Sequence, residues 1–252
     1  MLKKSLLCSL FFANILFASG SEVNVYSQRH YDSDKALFKK FEEKTGIKVN
    51  LITAKAEELV SRLSIEGANS PSDILITADI GNLYEAKERD LLQGVSSKTL
   101  EKNIPAHLRD EGGKWFAITK RARLFVYNPK TINPAHLDDY FSLTKPEFKG
   151  KVITRSSTNA YNKSLLASII AHNGEEKSLE FVKGLVNNFA RDPKGADKDQ
   201  IRAVASGEAD IAIVNSYYLG VMANSGDRVD EEIAKEVKVF FPAQKTTGAH
   251  IN

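Results

Sequence analysis

The chain has 252 residues, a formal net charge of +3 and one cysteine. Positive and negative residues alternate without a long block of one sign, which reads as an ordinary solvated surface and gives no support to a nucleic-acid role. The length suffices for one large or two modest domains with substantial cores.

The chain opens with Lys3 and Lys4, an apolar run from Leu6 to Phe17, and the small residues Ala18, Ser19 and Gly20. This is the pattern of a signal peptide cleaved after Gly20. The run is shorter than the roughly 20 apolar residues that a membrane span needs, so no membrane insertion is expected after cleavage. Cleavage removes Cys8, which leaves no thiol and so excludes disulfides and cysteine-ligated metals from the remainder.

From Val23 onward, short apolar strands alternate with helices, the pattern of parallel sheets in an α/β protein. Val23 to Tyr26 reads as a strand. Asp32 or Ser33 can cap a helix whose buried face holds Leu37, Phe38 and Phe41, with Gly46 at its stop. A strand from Ile47 to Ile52 follows, then a helix carrying Leu59, Val60 and Leu63 and closed by Gly67, then a strand from Asp73 to Thr77. These elements make a first lobe over residues 21–119. Trp115 to Tyr127 is extended at both ends, is interrupted by Lys120, Arg121 and Arg123, and reads as a crossing segment. A second α/β series over residues 120–236 has strand Lys151 to Thr154, helices Tyr161 to His172, Glu175 to Phe189 and Lys198 to Ser206, and strand Ile211 to Val214. Residues 237–252 read as a return strand toward the first lobe.

Three places could carry chemistry: His30-Tyr31, Tyr161 and Tyr217-Tyr218. Each follows a strand, and open α/β sheets gather their ligand-binding loops at the carboxyl ends of strands. Tyr161 follows its strand across the polar loop Arg155-Ser156-Ser157-Thr158-Asn159. Neighbouring tyrosines in a strand point to opposite faces, so Tyr217 and Tyr218 can serve one centre only if the backbone turns there. Phenolate oxygen is a hard anionic donor, which suits a hard, highly charged cation. A phenol titrates near pH 10, so binding must displace protons, which a strongly Lewis-acidic ion such as Fe(III) does near neutrality. Four phenolates around a trivalent ion leave one net negative charge, and Arg121 is the candidate to offset it.

Blander readings compete. A tyrosine pair after a strand is more often aromatic packing than a metal site. Tyr26, Tyr84, Tyr127 and Tyr140 read as core or helix packing, and His107, His136, His172 and His250 as surface or helix-end residues. Ser142-Leu143-Thr144-Lys145 matches a serine-enzyme pattern, but Pro146 ends any helix that could align its serine and lysine.

The residues in and around these sites resemble the ferric-iron-binding proteins of bacterial ABC import systems. The resemblance runs from Val23 to the end through Val25-Tyr26-Ser27-Gln28-Arg29-His30-Tyr31, Glu66-Gly67-Ala68-Asn69-Ser70-Pro71-Ser72-Asp73, Lys120-Arg121-Ala122-Arg123 and Phe148-Lys149-Gly150-Lys151-Val152. Its most specific part is Ala205-Ser206-Gly207-Glu208-Ala209-Asp210-Ile211-Ala212, leading to Asn215-Ser216-Tyr217-Tyr218.

The resemblance implies a two-lobed periplasmic-binding-protein fold with a mostly parallel sheet in each lobe and a hinge of crossing strands. It implies His30, Tyr31, Tyr161, Tyr217 and Tyr218 as iron ligands, Arg121 beside the metal or an anion, and an external synergistic anion as the less expected arrangement. It further implies a periplasmic monomer that is not an enzyme and that delivers iron to an inner-membrane permease and its ATPase. A binding protein for an anion, a polyamine or thiamine is the alternative. Relatives of this type continue for several tens of residues past the position of Asn252, so the sequence also reads as a truncated copy with its C-terminal part missing, whose function would then be in question.

Overall fold

A computed structural model describes residues 21–252, which form two compact units, residues 21–78 and 79–252. The expected signal peptide lies outside the described residues. The expectation of an α/β protein in two parts is met, each part having its own sheet. The division between the units falls at Ala78/Asp79. Hydrophobic periodicity marks elements, whereas unit membership depends on contacts that it does not encode.

The first unit contains β1 (Glu22–Ser27), α1 (Asp32–Thr45), β2 (Lys48–Thr53), α2 (Ala56–Glu66) and β3 (Ile74–Ile76). Its sheet has the order β2-β1-β3 and is parallel throughout, with Tyr26 opposite Ile52 on one side and Leu75 on the other. α2 buries Ala56, Leu59, Val60 and Leu63, the face its spacing predicts. Tyr26 is fully buried, and its hydroxyl donates to Glu66 at 2.9 Å. α1 departs from expectation. Its stop at Gly46 is left-handed, as predicted, but no residue of α1 is buried, and Leu37 and Phe41 are 64% and 39% exposed. Spacing shows which side chains share a helix face; it does not show whether another element covers that face.

The second unit contains α3 (Ile80–Glu88), α4 (Lys98–Asn103), β4 (Arg123–Tyr127), β5 (Val152–Ile153), α5 (Ala160–Asn187), α6 (Asp197–Ser206), β6 (Ile211–Asn215), α7 (Tyr217–Ala223), α8 (Arg228–Glu236) and β7 (Lys238–Phe240). Its sheet has the order β5-β6-β4-β7. Only β5 and β6 pair in parallel; β4 runs antiparallel to both β6 and β7. The second sheet is therefore mixed and not mostly parallel as expected. β4 is entered from the extended segment after Trp115 with no crossover helix before it, so nothing obliges it to run parallel to its neighbours. β7, read from the sequence as returning to the first lobe, pairs with β4, and Phe240 stacks on Phe125 with ring centres 6.1 Å apart.

Every residue of β4 and β6 is buried, because both faces of this sheet are covered. Phe125, Tyr127, Ile211 and Ile213 face one core with Leu143, Phe148, Leu165 and Phe181. Leu124, Val126, Ala212 and Val214 face the other, with Ile201, Val204 and Met222. The two helices predicted between Tyr161 and Phe189 are present as the two halves of α5, divided at a non-helical Gly174 whose φ is 79° and ψ is 168°. A glycine adopts that conformation without steric cost, which explains a break at this point. Among the described residues no helix is long and apolar enough to cross a membrane.

Candidate metal-binding site

In the first unit, β1 is the central strand and delivers Gln28-Arg29-His30-Tyr31 directly to the start of α1. Tyr31 is the N-terminal cap residue of α1, with extended backbone. The turn is held locally, since Ser27 Oγ accepts the Arg29 N–H and donates to the Arg29 carbonyl, both at 3.0 Å. Arg29 then grips Asp34 with two N–H groups at 3.0 and 2.8 Å. This places its guanidinium 5.3 Å from the centre of the Tyr31 ring, while His30 and Tyr31 stack with centres 5.1 Å apart.

In the second unit, β5 and β6 are parallel neighbours, so their carboxyl ends lie on the same side. α5 starts beyond one and α7 beyond the other. Asn159 caps α5 by accepting the Tyr161 N–H at 3.1 Å, which sets Tyr161 in the first helical turn. At the end of β6 only Ser216 separates strand from helix, and α7 begins at Tyr217 itself. The backbone turn that the tyrosine pair requires is therefore present. The rings of Tyr217 and Tyr218 stack with centres 4.1 Å apart.

Arg121 lies beside this group. Its guanidinium carbon is 5.5 Å from the Tyr161 ring centre and 6.0 Å from that of Tyr217. The segment is fixed by pairing with the end of the described chain: the Arg121 N–H donates to the Asn252 carbonyl at 2.7 Å, and the Asn252 N–H donates back at 2.8 Å. Next to Arg121, Ala122 holds Ser216 through its N–H to Ser216 Oγ at 3.2 Å and its carbonyl to the Ser216 N–H at 2.9 Å. Of the residues expected from the sequence, Tyr161, Tyr217, Tyr218 and Arg121 are thus brought together within the second unit, and His30 and Tyr31 are brought together within the first.

Sequence reasoning missed three groups here. Arg155 lies 5.8 Å from the Tyr161 ring centre and donates to Asp197 Oδ2 at 2.7 Å. Burial pulls its guanidinium down, but the bond to Asp197 and its charge outweigh this and leave it above the ordinary arginine value. Asp79 caps α3 by accepting the Gly81 N–H at 2.8 Å; burial pushes its carboxyl up, against the Gly81 bond and the charge of Arg121. Asp197 is fully buried beneath the site and accepts from Arg123 at 3.0 Å and from the Asn215 N–H at 2.9 Å. Position in the polar loop before Tyr161 was the one available signal for Arg155. For Asp79 and Asp197 the sequence offered none.

Arg123, also fully buried, additionally donates to Asn162 Oδ1 at 2.8 Å and the Ile213 carbonyl at 3.2 Å. Burial lowers its guanidinium below the ordinary arginine value, and Asp197 opposes that. Two guanidiniums thus share one carboxylate, and a surplus positive charge sits below the phenols. Removing one partner from a buried pair of this kind costs about 3–5 kcal/mol, because the remaining charge stays buried.

Three other expectations are settled by position. Tyr26, Tyr127 and Tyr140 are core residues, as read, but Tyr84 is 57% exposed. His250 is not a surface residue: its Nε2 is 2.9 Å from Ser164 Oγ and it is half-buried. Ser142 is buried in a short 3-10 turn and its hydroxyl accepts the Asp138 N–H at 3.0 Å.

The chain is similar to several known proteins. The iron uptake protein A1 of Synechocystis is 50% identical over 231 residues, covering 92% of this chain, and the chain spans 64% of that protein's length. A ferric binding protein from Campylobacter jejuni is 53% identical, with a TM-score of 0.87 over 91% of this chain and 73% of that one. A Trichodesmium protein solved with iron and citrate is 46% identical, also with a TM-score of 0.87, over 92% of this chain and 73% of its own. Residues 69–247 match the bacterial extracellular solute-binding proteins, and the chain belongs to that family.

Proposed function

We propose that this chain captures ferric iron in the periplasm and passes it to an inner-membrane permease powered by an ATPase. The observation that carries the reading is the convergence of Tyr161 and Tyr217-Tyr218 at the carboxyl ends of two parallel strands, with Arg121 within 6.0 Å of two of the three rings. Phenol oxygens are hard donors that select a strongly acidic cation, and a fixed guanidinium offsets the negative charge they accumulate when ionised. His30 and Tyr31, in the turn between β1 and α1, are assigned as further donors. Relatives described as iron uptake and ferric-binding proteins support the same cargo. The protein acts as a monomer and carries out no chemical transformation. Its iron is held by protein donors, and an added anion, for which citrate in the Trichodesmium relative is a precedent, would find Arg121.

The test is optical. Ferric tyrosinate absorbs visible light by charge transfer, so protein loaded from ferric citrate is expected to be orange to red. Tyr217→Phe and Tyr218→Phe are each expected to abolish or weaken that band with the fold retained. Parent protein that stays colourless and leaves ferric citrate untouched overturns the iron assignment.

A further inference from the structure

We infer that Asp197 is a positioning residue that sets the spacing between Tyr161 and the Tyr217-Tyr218 pair, and that Arg155 is its adjustable arm. The inference rests on the reading of these tyrosines as metal donors. Asp197 is the first residue of α6 and belongs to neither strand-to-helix junction that carries a tyrosine. Yet its carboxylate reaches both. One oxygen, Oδ1, accepts the backbone N–H of Asn215, the last residue of β6 and two residues before Tyr217. The same oxygen accepts Arg123 Nη1, and Arg123 Nη2 continues to Asn162, the immediate neighbour of Tyr161. Asn162 in turn donates to the carbonyls of Arg155 and Ser156 at 2.7 and 3.3 Å, closing the loop that leads into α5. The other oxygen, Oδ2, holds the Arg155 side chain beside the Tyr161 ring.

One buried carboxylate therefore ties three segments distant in sequence: residues 155–162, residue 123 of β4, and residue 215 of β6. A carboxylate that served only to neutralise buried charge would need no bond to a backbone N–H at the exit of β6. Arg123 also donates to Asn215 Oδ1, Asn162 Oδ1 and the Ile213 carbonyl, but these acceptors are neutral and do not replace the charge of Asp197. With the acid removed, Arg123 and Arg155 repel one another across its place, and Arg155, the more exposed at 21% against 0% for Arg123, is the one free to swing away. The chemical consequence falls on donor geometry. The phenols remain in the chain, but no longer at the separation that lets both junctions reach one cation.

The experiment compares parent protein with Asp197→Asn, Arg155→Gln and the control Asp230→Asn. Asp230 is a second buried carboxylate of the same unit; it is paired with Arg202 and Lys198 and lies in none of the tyrosine junctions. Each protein is titrated with ferric citrate at a temperature where circular dichroism shows it folded, and the charge-transfer band and citrate competition are recorded. Asp197→Asn is expected to hold iron roughly 10- to 100-fold less tightly, the range typical for residues that orient metal ligands. Its band should move to longer wavelength as a phenolate is lost from the ion. In the metal-free protein, the near-ultraviolet dichroism of the stacked Tyr217-Tyr218 pair should also change. Arg155→Gln should give the same shifts in weaker form, and Asp230→Asn should lower the melting temperature without moving the band. A folded Asp197→Asn with the parent's band and affinity overturns the inference; should that variant not fold, an unaltered band and affinity in Arg155→Gln does so. A parent protein without any band brings down the iron reading instead, which separates the two failures.

Discussion

The guanidinium of Arg121 stands 5.5 Å from the centre of the Tyr161 ring, and the backbone that carries it is held by two bonds to Asn252. Placement by backbone matters here, because a long side chain fixed at its root keeps its charge near the phenols when they ionise. Replacing it with glutamine removes the charge and keeps much of the volume. A cation over an aromatic face contributes about 0.5–2 kcal/mol, so Arg121→Gln is expected to weaken ferric binding roughly 2- to 30-fold. Competition titration against citrate measures this; an unchanged affinity would show that the charge does not act on the site.

Tyr140 links β4 to the end of the described chain. Its hydroxyl donates to the Arg123 carbonyl at 2.8 Å and accepts the His250 N–H at 2.9 Å, and burial pushes the phenol up to about 12. Tyr140→Phe leaves a carbonyl and an N–H without this partner. The expected loss is about 1–3 kcal/mol in urea unfolding, the cost of a buried polar group left unsatisfied, with little change in the slope of the transition.

The folded protein resists protonation of His250. Burial first, then the charges of Arg123 and His172, take its imidazole down from 6.5 to about 4. The unfolded chain consequently binds the proton more readily between these two values. Stability is therefore expected to be whole above pH 6.5 and to fall as the pH drops toward 4. Melting temperatures measured across that window should fall less steeply for His250→Gln than for the parent.

The break in α5 at Gly174 has a positive φ of 79° combined with an extended ψ of 168°, and nothing lies within 4 Å of where a Cβ would be added. Space is thus not the constraint; backbone conformation is. Gly174→Ala is expected to destabilise the protein by about 1–3 kcal/mol, the cost of holding an L-residue in that region. Thermal unfolding would show it, and an unchanged melting temperature would mean that the helix can straighten.

Much of this architecture was legible in the residues. Leu59, Val60 and Leu63 announced the buried face of α2, and Gly46 and Gly67 marked the stops of α1 and α2. The tyrosine pair was legible because its spacing demanded a strand-to-helix turn. α3, α4, α7 and α8 escaped notice: α4 and α7 are only 6 and 7 residues long, and α8 buries only Asp230. The exposure of Leu37 on α1 and the antiparallel course of β4 depend on partners far along the chain, which local periodicity does not record. The same holds for Asp197, whose acceptor role exists only once residues 123, 155 and 215 have met.

The direct passage from β6 into α7, with Ser216 as the sole joint, makes the paired phenols a single unit of fixed bite. Successive residues of a helix are turned by about 100° and raised by about 1.5 Å, so adding or deleting one residue at this joint would rotate both rings off target together. Length at position 216 is in this sense as chemically specified as the identity of the tyrosines, and point substitution is a gentler perturbation there than any change in chain length.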